Sequence, residues 1–150
     1  MREAIRLSRQ KMRANQGGPF GAVVVRNGKM IARGWNRVTA ANDPTAHAEI
    51  MAIRNACKKL RRFHLQDCVL YTSCEPCPMC LAAIYWARMK QVFYANTRAD
   101  AAAAGFEDVR IYREMCLPIP RRKIPMKPLL RPEALQVFAE WNQKSDKISY

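Results

Sequence analysis

The sequence predicts an α/β fold: a central mixed sheet with helices on both of its faces. Three observations carry this. The dipeptide Asn27-Gly28 separates two apolar runs, the signal of a tight antiparallel hairpin. Downstream, strand-like and helix-like segments alternate, the pattern of strands joined through helices. No internal repeat or domain boundary is visible. A length of 150 residues favours one domain, able to bury roughly two-thirds of its unfolded surface.

Residues 4–15 carry Ile5, Leu7 and Met12 at a modest helical spacing, with Arg2, Arg6, Arg9, Lys11 and Arg13 on a solvated face. Gly17-Gly18-Pro19 ends this helix and lets the backbone pass close to another element or a ligand. Residues 20–25 read as a buried strand, and residues 30–36 return as its hairpin partner. Residues 39–44 form a polar loop. A second helix over residues 45–60 turns Ile50, Ile53, Ala56, Cys57 and Leu60 toward the sheet. Lys58, Lys59, Arg61 and Arg62 at its end complement the helix dipole.

Residues 68–72 are the third strand. Residues 78–88 are the third helix, with Pro78 tolerated in the first turn. Residues 91–95 are the fourth strand. A short alanine-rich helix spans residues 99–104, is ended by Gly105, and leads into a loop, Phe106-Glu107-Asp108. Residues 118–132 hold five prolines and are expected to be extended. Residues 132–144 make a last helix with Leu135, Phe138 and Trp141 on one face.

Composition narrows the function classes. An apolar fraction of 49% places the chain among globular rather than disordered proteins. The 26 Lys and Arg against 12 Asp and Glu give a net charge of +14. That excess suits a phosphate backbone or an anionic substrate, or simply a solvated surface. No apolar run follows Met1-Arg2-Glu3, so no secretory leader is expected. The six cysteines then point to a reducing, cytoplasmic setting and to metal chemistry rather than a disulfide framework. No apolar run approaches the ~20 residues that span a bilayer, so no membrane role is expected.

Two stretches carry the chemistry. Thr45-Ala46-His47-Ala48-Glu49 opens the second helix, and Thr72-Ser73-Cys74-Glu75-Pro76-Cys77-Pro78-Met79-Cys80 leads from the third strand into the third helix. His47, Cys77 and Cys80 make a three-ligand zinc site whose fourth position stays open, as catalytic zinc requires. Helix N-termini and a metal both favour the thiolate form of the cysteines. Water on such a metal titrates near ~7. Glu49 is not needed as a ligand and can carry a proton between that water and a substrate. By itself the Cys-x-x-Cys pair would also suit a redox pair or half of a structural zinc site. Cys74 could complete a structural three-cysteine site with His47. Cys57 and Cys68 fit core positions, and His64 fits the surface.

His-x-Glu followed by Pro-Cys-x-x-Cys is the arrangement of the zinc deaminases. With these residues in place the chain resembles the cytidine-deaminase-like superfamily, and more closely the bacterial guanine deaminases. The likeness runs through Gly17-Gly18-Pro19-Phe20-Gly21-Ala22, Asn42-Asp43-Pro44-Thr45-Ala46-His47-Ala48-Glu49, residues 71–80, Ile84-Tyr85-Trp86-Ala87-Arg88, Ala104-Gly105-Phe106-Glu107-Asp108 and Tyr150. Leu81-Ala82-Ala83 departs from it, where Leu-Gly-Ala is common.

The resemblance implies a three-layer α/β/α sandwich and a homodimer that exchanges residues of about 132–150, bringing Tyr150 to the partner's site. It also implies that Phe20, Asn36, Trp86, Asp108 and Tyr150 line a purine pocket. Guanine presents two donors, N1–H and the 2-amino group, on the edge that an ionised Asp108 would face. Adenine presents a bare N1 acceptor there.

The function so expected is zinc-dependent hydrolysis of guanine to xanthine and ammonia, with water attacking C2. Glu49 passes the proton to N3 and then to the amine. The alternative is a tRNA adenosine deaminase acting at the wobble position. It would use the basic surface to hold an anticodon loop and flip one base into the pocket. A structural-zinc domain binding nucleic acid is the non-enzymatic reading, and it would leave Glu49 idle.

Overall fold

A computed structural model of the chain describes residues 1–149. Its strands are β1 (Gly21–Arg26), β2 (Lys29–Trp35), β3 (Cys68–Cys74) and β4 (Gln91–Asn96). Its helices are α1 (Arg2–Arg13), α2 (Val38–Ala41), α3 (Ala48–Leu60), α4 (Pro78–Trp86), α5 (Arg98–Ala103), α6 (Val109–Cys116) and α7 (Arg131–Gln143). The strands lie in the order β2-β1-β3-β4. β1 is antiparallel to β2 and β3, and β3 is parallel to β4. This is the expected mixed sheet.

Local chemistry accounts for the joints. Asn27 and Gly28 both take positive φ, 49° and 73°, as a tight hairpin turn between twisted strands demands. The parallel β3–β4 pair needs a crossover, which α4 supplies. Tyr71 and Phe93, opposite each other in that pair, stack at 5.1 Å.

The side chains of β1 alternate between two faces. A Cβ on Gly21 would meet the Ala4 carbonyl and Leu7, so that face abuts α1. Ala22 and Val24 point the other way, into a core with Ala48, Ala52 and Ala56 of α3 and Ile84 of α4. Helices therefore cover both faces, giving three layers. Gly34 brings β2 against α3: a Cβ there would sit 2.1 Å from the Ala48 carbonyl oxygen.

Strand directions bring four chain segments to one end of the sheet. Gly21 pairs with Trp35, Ala22 with Thr72, and Cys74 with Asn96. The entry to β1 and the exits of β2, β3 and β4 thus lie together. The chain enters α3 and α4 immediately after His47 and Cys77.

Three boundaries differ from the sequence expectation. α3 begins at Ala48 rather than residue 45 because Asp43 holds Thr45 in a turn. The Asp43 side chain accepts from the Thr45 amide (2.8 Å) and hydroxyl (2.7 Å). Residues 38–41, expected within or beside a polar loop, form a helical turn stopped by Asn42 at positive φ. α6 has no counterpart in the sequence reading.

The chain divides into two compact units, Met1–Arg110 and a second that starts at Ile111. The second contains the rest of α6, a 3₁₀ turn over Ile119–Arg121, an irregular stretch and α7. In it the Lys123 amide donates to Glu114 (2.8 Å) and Arg122 Nε to the Leu117 carbonyl (3.0 Å). Leu135, Phe138 and Trp141 of α7 are exposed.

Candidate active site

His47 and Cys77 are N-cap residues, held in extended backbone at the starts of α3 and α4. Cys80 lies one turn into α4 and is fully buried. The His47 Nδ1 atom lies 3.5 Å from Cys77 Sγ and 3.5 Å from Cys80 Sγ. All three donor atoms fall within 4.8 Å of one another. A tetrahedral zinc with bonds of ~2.3 Å to sulfur and ~2.0 Å to nitrogen separates its ligands by roughly 3.5–3.8 Å. The spacing fits zinc, and two soft sulfurs with one imidazole are a zinc donor set.

The thiols are prepared for a metal. The hydrogen bond from Cys80, helped by His47, holds Cys77 down to about 4. The same bond, with burial, pushes Cys80 up. Cys80 is therefore the thiol that keeps its proton, and it gives that proton up when a metal takes the sulfur. The hydrogen bond to Cys77 raises the His47 pKa against the opposing effect of burial. Cys74 stands apart from this cluster. Its Sγ contacts the Thr97 carbonyl (3.6 Å), and burial pushes its thiol up to about 11. Among the described residues the clustered donors are His47, Cys77 and Cys80, three rather than four.

Glu49 is buried beside these ligands, on the first turn of α3. Thr72 Oγ1 donates to its Oε1 (3.1 Å), and Cys80 Sγ lies 3.5 Å from its Oε2. Burial raises its pKa, so the carboxyl readily holds a proton.

Glu49, His47 and Cys77 open onto a cavity of about 520 Å³. Phe20, Asn36 and Asp108 line it too. The Asn36 side-chain oxygen accepts from the Gly18 amide (3.2 Å) and the Val38 amide (3.3 Å), which leaves its NH₂ for another partner. Burial raises the Asp108 pKa, the neighbouring Cys77 adding to it and His47 opposing.

One expected residue among the described ones is not on this wall. Trp86 is 68% exposed and does not line the cavity. It closes α4, about 12 Å along the axis from Pro78 at 1.5 Å per residue. Tyr150 lies outside the described residues. His64, expected on the surface, is half-buried, and its Nδ1 has no partner among the described residues.

The sequence reading also passed over several groups. Phe106 packs edge-to-face on Phe20 at 4.8 Å and lines the cavity, as do Glu75, Arg98 and Glu107. Thr72 was read only as strand. Its single available signal was its place five residues before Cys77.

Residues 1–96 match the family described as cytidine and deoxycytidylate deaminase zinc-binding region. Over 150 residues the chain is 53% identical to guanine deaminase of Bacillus subtilis, covering 100% of this chain and 96% of that protein. A solved structure of guanine deaminase from Bacillus subtilis superposes with a TM-score of 0.97 over 99% of this chain and 95% of that one. The tRNA-specific adenosine deaminase of Aquifex aeolicus is 40% identical over 89 residues, 58% of this chain and 59% of that protein. No helix among the described residues is long and apolar enough to cross a membrane.

Proposed function

This chain belongs to the cytidine and deoxycytidylate deaminase zinc-binding family and is a zinc-dependent aminohydrolase, and we propose that it hydrolyses guanine to xanthine and ammonia. The observation that carries the choice of base is sequence likeness over the full length to a guanine deaminase, against sequence likeness over little more than half the chain to a tRNA deaminase. The matched family region ends at residue 96, and the cavity wall supplied by Arg98, Ala101, Phe106, Glu107 and Asp108 lies beyond it. Base choice resides in that wall.

Zinc, held by His47, Cys77 and Cys80, supplies the Lewis acidity that makes a water nucleophilic near pH ~7. The chain's own side chains do the rest. Phe20 and Phe106, packed on each other, offer an aromatic wall against which the purine lies. The free NH₂ of Asn36 donates to a purine acceptor. Asp108, ionised, accepts from guanine N1–H and the 2-amino group. Glu49 takes the proton that water loses as it adds at C2, and its burial keeps that proton in the cavity. It delivers that proton to N3, then takes the second proton from the hydroxyl now on C2 and gives it to the amine; the C2–N bond breaks as C2=O forms, and ammonia leaves.

We propose further that the enzyme acts as a cytoplasmic homodimer whose C-terminal segment, with Tyr150, is exchanged between subunits. Supporting this, α7 exposes Leu135, Phe138 and Trp141, an apolar face that asks for a cover. Six free cysteines suit a reducing compartment. Light scattering that gives a monomer at micromolar concentration would remove the dimer.

The net charge of +14 favours the second reading, deamination of adenosine in a tRNA anticodon loop. One experiment separates the two. Ammonia release is measured from guanine, adenine, cytosine, cytidine and an adenosine-containing anticodon stem-loop, with Glu49→Ala as the blank. Release from guanine is expected. Release from the stem-loop with guanine inert would overturn the assignment.

A further inference from the structure

We propose that Glu75 is a positioning residue that ties the metal loop to the wall that recognises the base, so that its loss weakens guanine binding while leaving the metal centre intact. The inference rests on guanine as the substrate.

The observations concern how α5 is held. Beyond β4 the chain runs through Thr97 into α5, turns at Gly105, and places Phe106 and Asp108 on the cavity. This wall is largely exposed, and α5 buries no residue. Besides the contact of Phe106 with Phe20, its anchorage is polar. The Glu75 amide donates to the Asn96 carbonyl (2.8 Å), continuing the β3–β4 ladder beyond its last strand pair. Oε2 of Glu75 accepts from the Arg98 amide (3.0 Å), the first of α5, and Oε1 lies 3.6 Å from Arg98 Nε. Cys74 Sγ contacts the Thr97 carbonyl alongside (3.6 Å). Both carboxylate oxygens of Glu75 are thus turned to Arg98.

Glu75 is two residues before Cys77, in the loop that leads to this candidate ligand. Through Arg98 it reaches the helix that leads to Phe106 and Asp108. The capping box between Thr97 and Asp100 shapes the first turn of α5 but makes no link to the metal loop. Glu75 supplies that link. A shift of the wall by an ångström changes how a purine is held under the metal, and misplacement on that scale costs rate or affinity steeply.

The test compares Glu75→Ala and Glu75→Gln with the wild type, all loaded with zinc. Wild-type turnover of guanine is measured first. None would overturn the choice of substrate rather than the role of Glu75. Given turnover, Glu75→Ala is expected to keep wild-type zinc stoichiometry, to raise KM about tenfold and to change kcat by less than about twofold. Glu75→Gln, which retains an acceptor for the Arg98 amide, is expected to bring KM back to within about threefold of wild type.

A double-mutant cycle with Phe106→Leu adds a readout that a fold defect would not give. Because Glu75 acts through the wall, the two KM effects are expected to be non-additive. Unchanged KM in Glu75→Ala overturns the proposal. So do loss of zinc, equal KM defects in the Ala and Gln variants, and strict additivity with Phe106→Leu.

Discussion

The Thr72 hydroxyl donates a 3.1 Å hydrogen bond to Oε1 of Glu49, joining β3 to the first turn of α3. Both side chains are inaccessible, Thr72 at 1% and Glu49 at 6% exposure. One carboxylate oxygen is thereby committed, and the torsion of the proton carrier is set from the sheet. Thr72→Val keeps the shape and removes the donor. It leaves a buried acceptor unpaired, at a cost of about 1–3 kcal/mol in stability. We expect kcat to fall by about 10- to 100-fold with zinc content unchanged, and Thr72→Ser to restore most of it. Full activity in the valine variant would show that Glu49 is oriented by other means.

Zinc removal has a defined thiol signature. In the metal-free protein Cys77, held down to about 4, is a thiolate at neutral pH, while Cys80 keeps its proton. A thiol reagent should modify Cys77 rapidly after chelation and neither cysteine while zinc is bound. Adding zinc back at pH 7 should release about one to two protons per metal, from Cys80 and from the fraction of His47 still protonated. Calorimetry in buffers of different ionisation enthalpy reads that number. Equal reactivity of Cys77 with and without zinc would remove it as a ligand.

Gly34 sets the distance between β2 and the helix that carries Glu49. An added Cβ would lie 2.1 Å from the Ala48 carbonyl oxygen and 2.4 Å from the Ala52 nitrogen. Backbone atoms cannot rotate aside, so Gly34→Ala must push α3 away and move His47 and Glu49 with it. The expected cost is about 1–3 kcal/mol in stability together with weaker zinc binding. Thermal unfolding and a competitive zinc titration measure the two. Wild-type values in both would show that the sheet–helix gap is more forgiving.

Asp67 governs part of the acid stability. Against the opposing effect of burial, hydrogen bonds from Arg62 and Arg26 hold its carboxyl down to about 2. The Arg26 bond is 2.7 Å, and the second partner, Arg62, stands just beyond the end of α3. A depressed carboxyl stabilises the fold above its unfolded pKa of ~3.9, and that contribution disappears as pH falls through the folded value. Asp67→Asn should therefore lower stability at pH 5–7. Its difference from wild type should shrink as the pH is taken from about 4 to about 2. A difference that stays constant over that window would mean that packing, not charge, is what the substitution removes.

How far residues alone reach can be judged from two neighbouring cases. His47, Cys77, Cys80 and Glu49 were legible because their roles follow from spacing on helix starts, and such spacing is local. Asn36 and Phe20 came only with the family likeness, since a lone Asn or Phe carries no chemical signature. Trp86 shows the limit: it sits in a motif beside the metal ligands, yet eight helical residues carry it beyond the cavity. Phe106 and Glu75 lay within motifs the sequence offered but were given no role, because their importance depends on partners far away in sequence.

The sequence by itself determined the mixed sheet, the hairpin and the candidate zinc donors, because backbone preference, hydrophobic period and ligand spacing act over a few residues. Only the tertiary structure decided what surrounds them. It brought Thr72 under Glu49, set Phe106 against Phe20, tied Glu75 to Arg98 and started α3 one residue after His47. Each of these is a contact whose distance depends on how strands register and helices pack, and no local pattern encodes that.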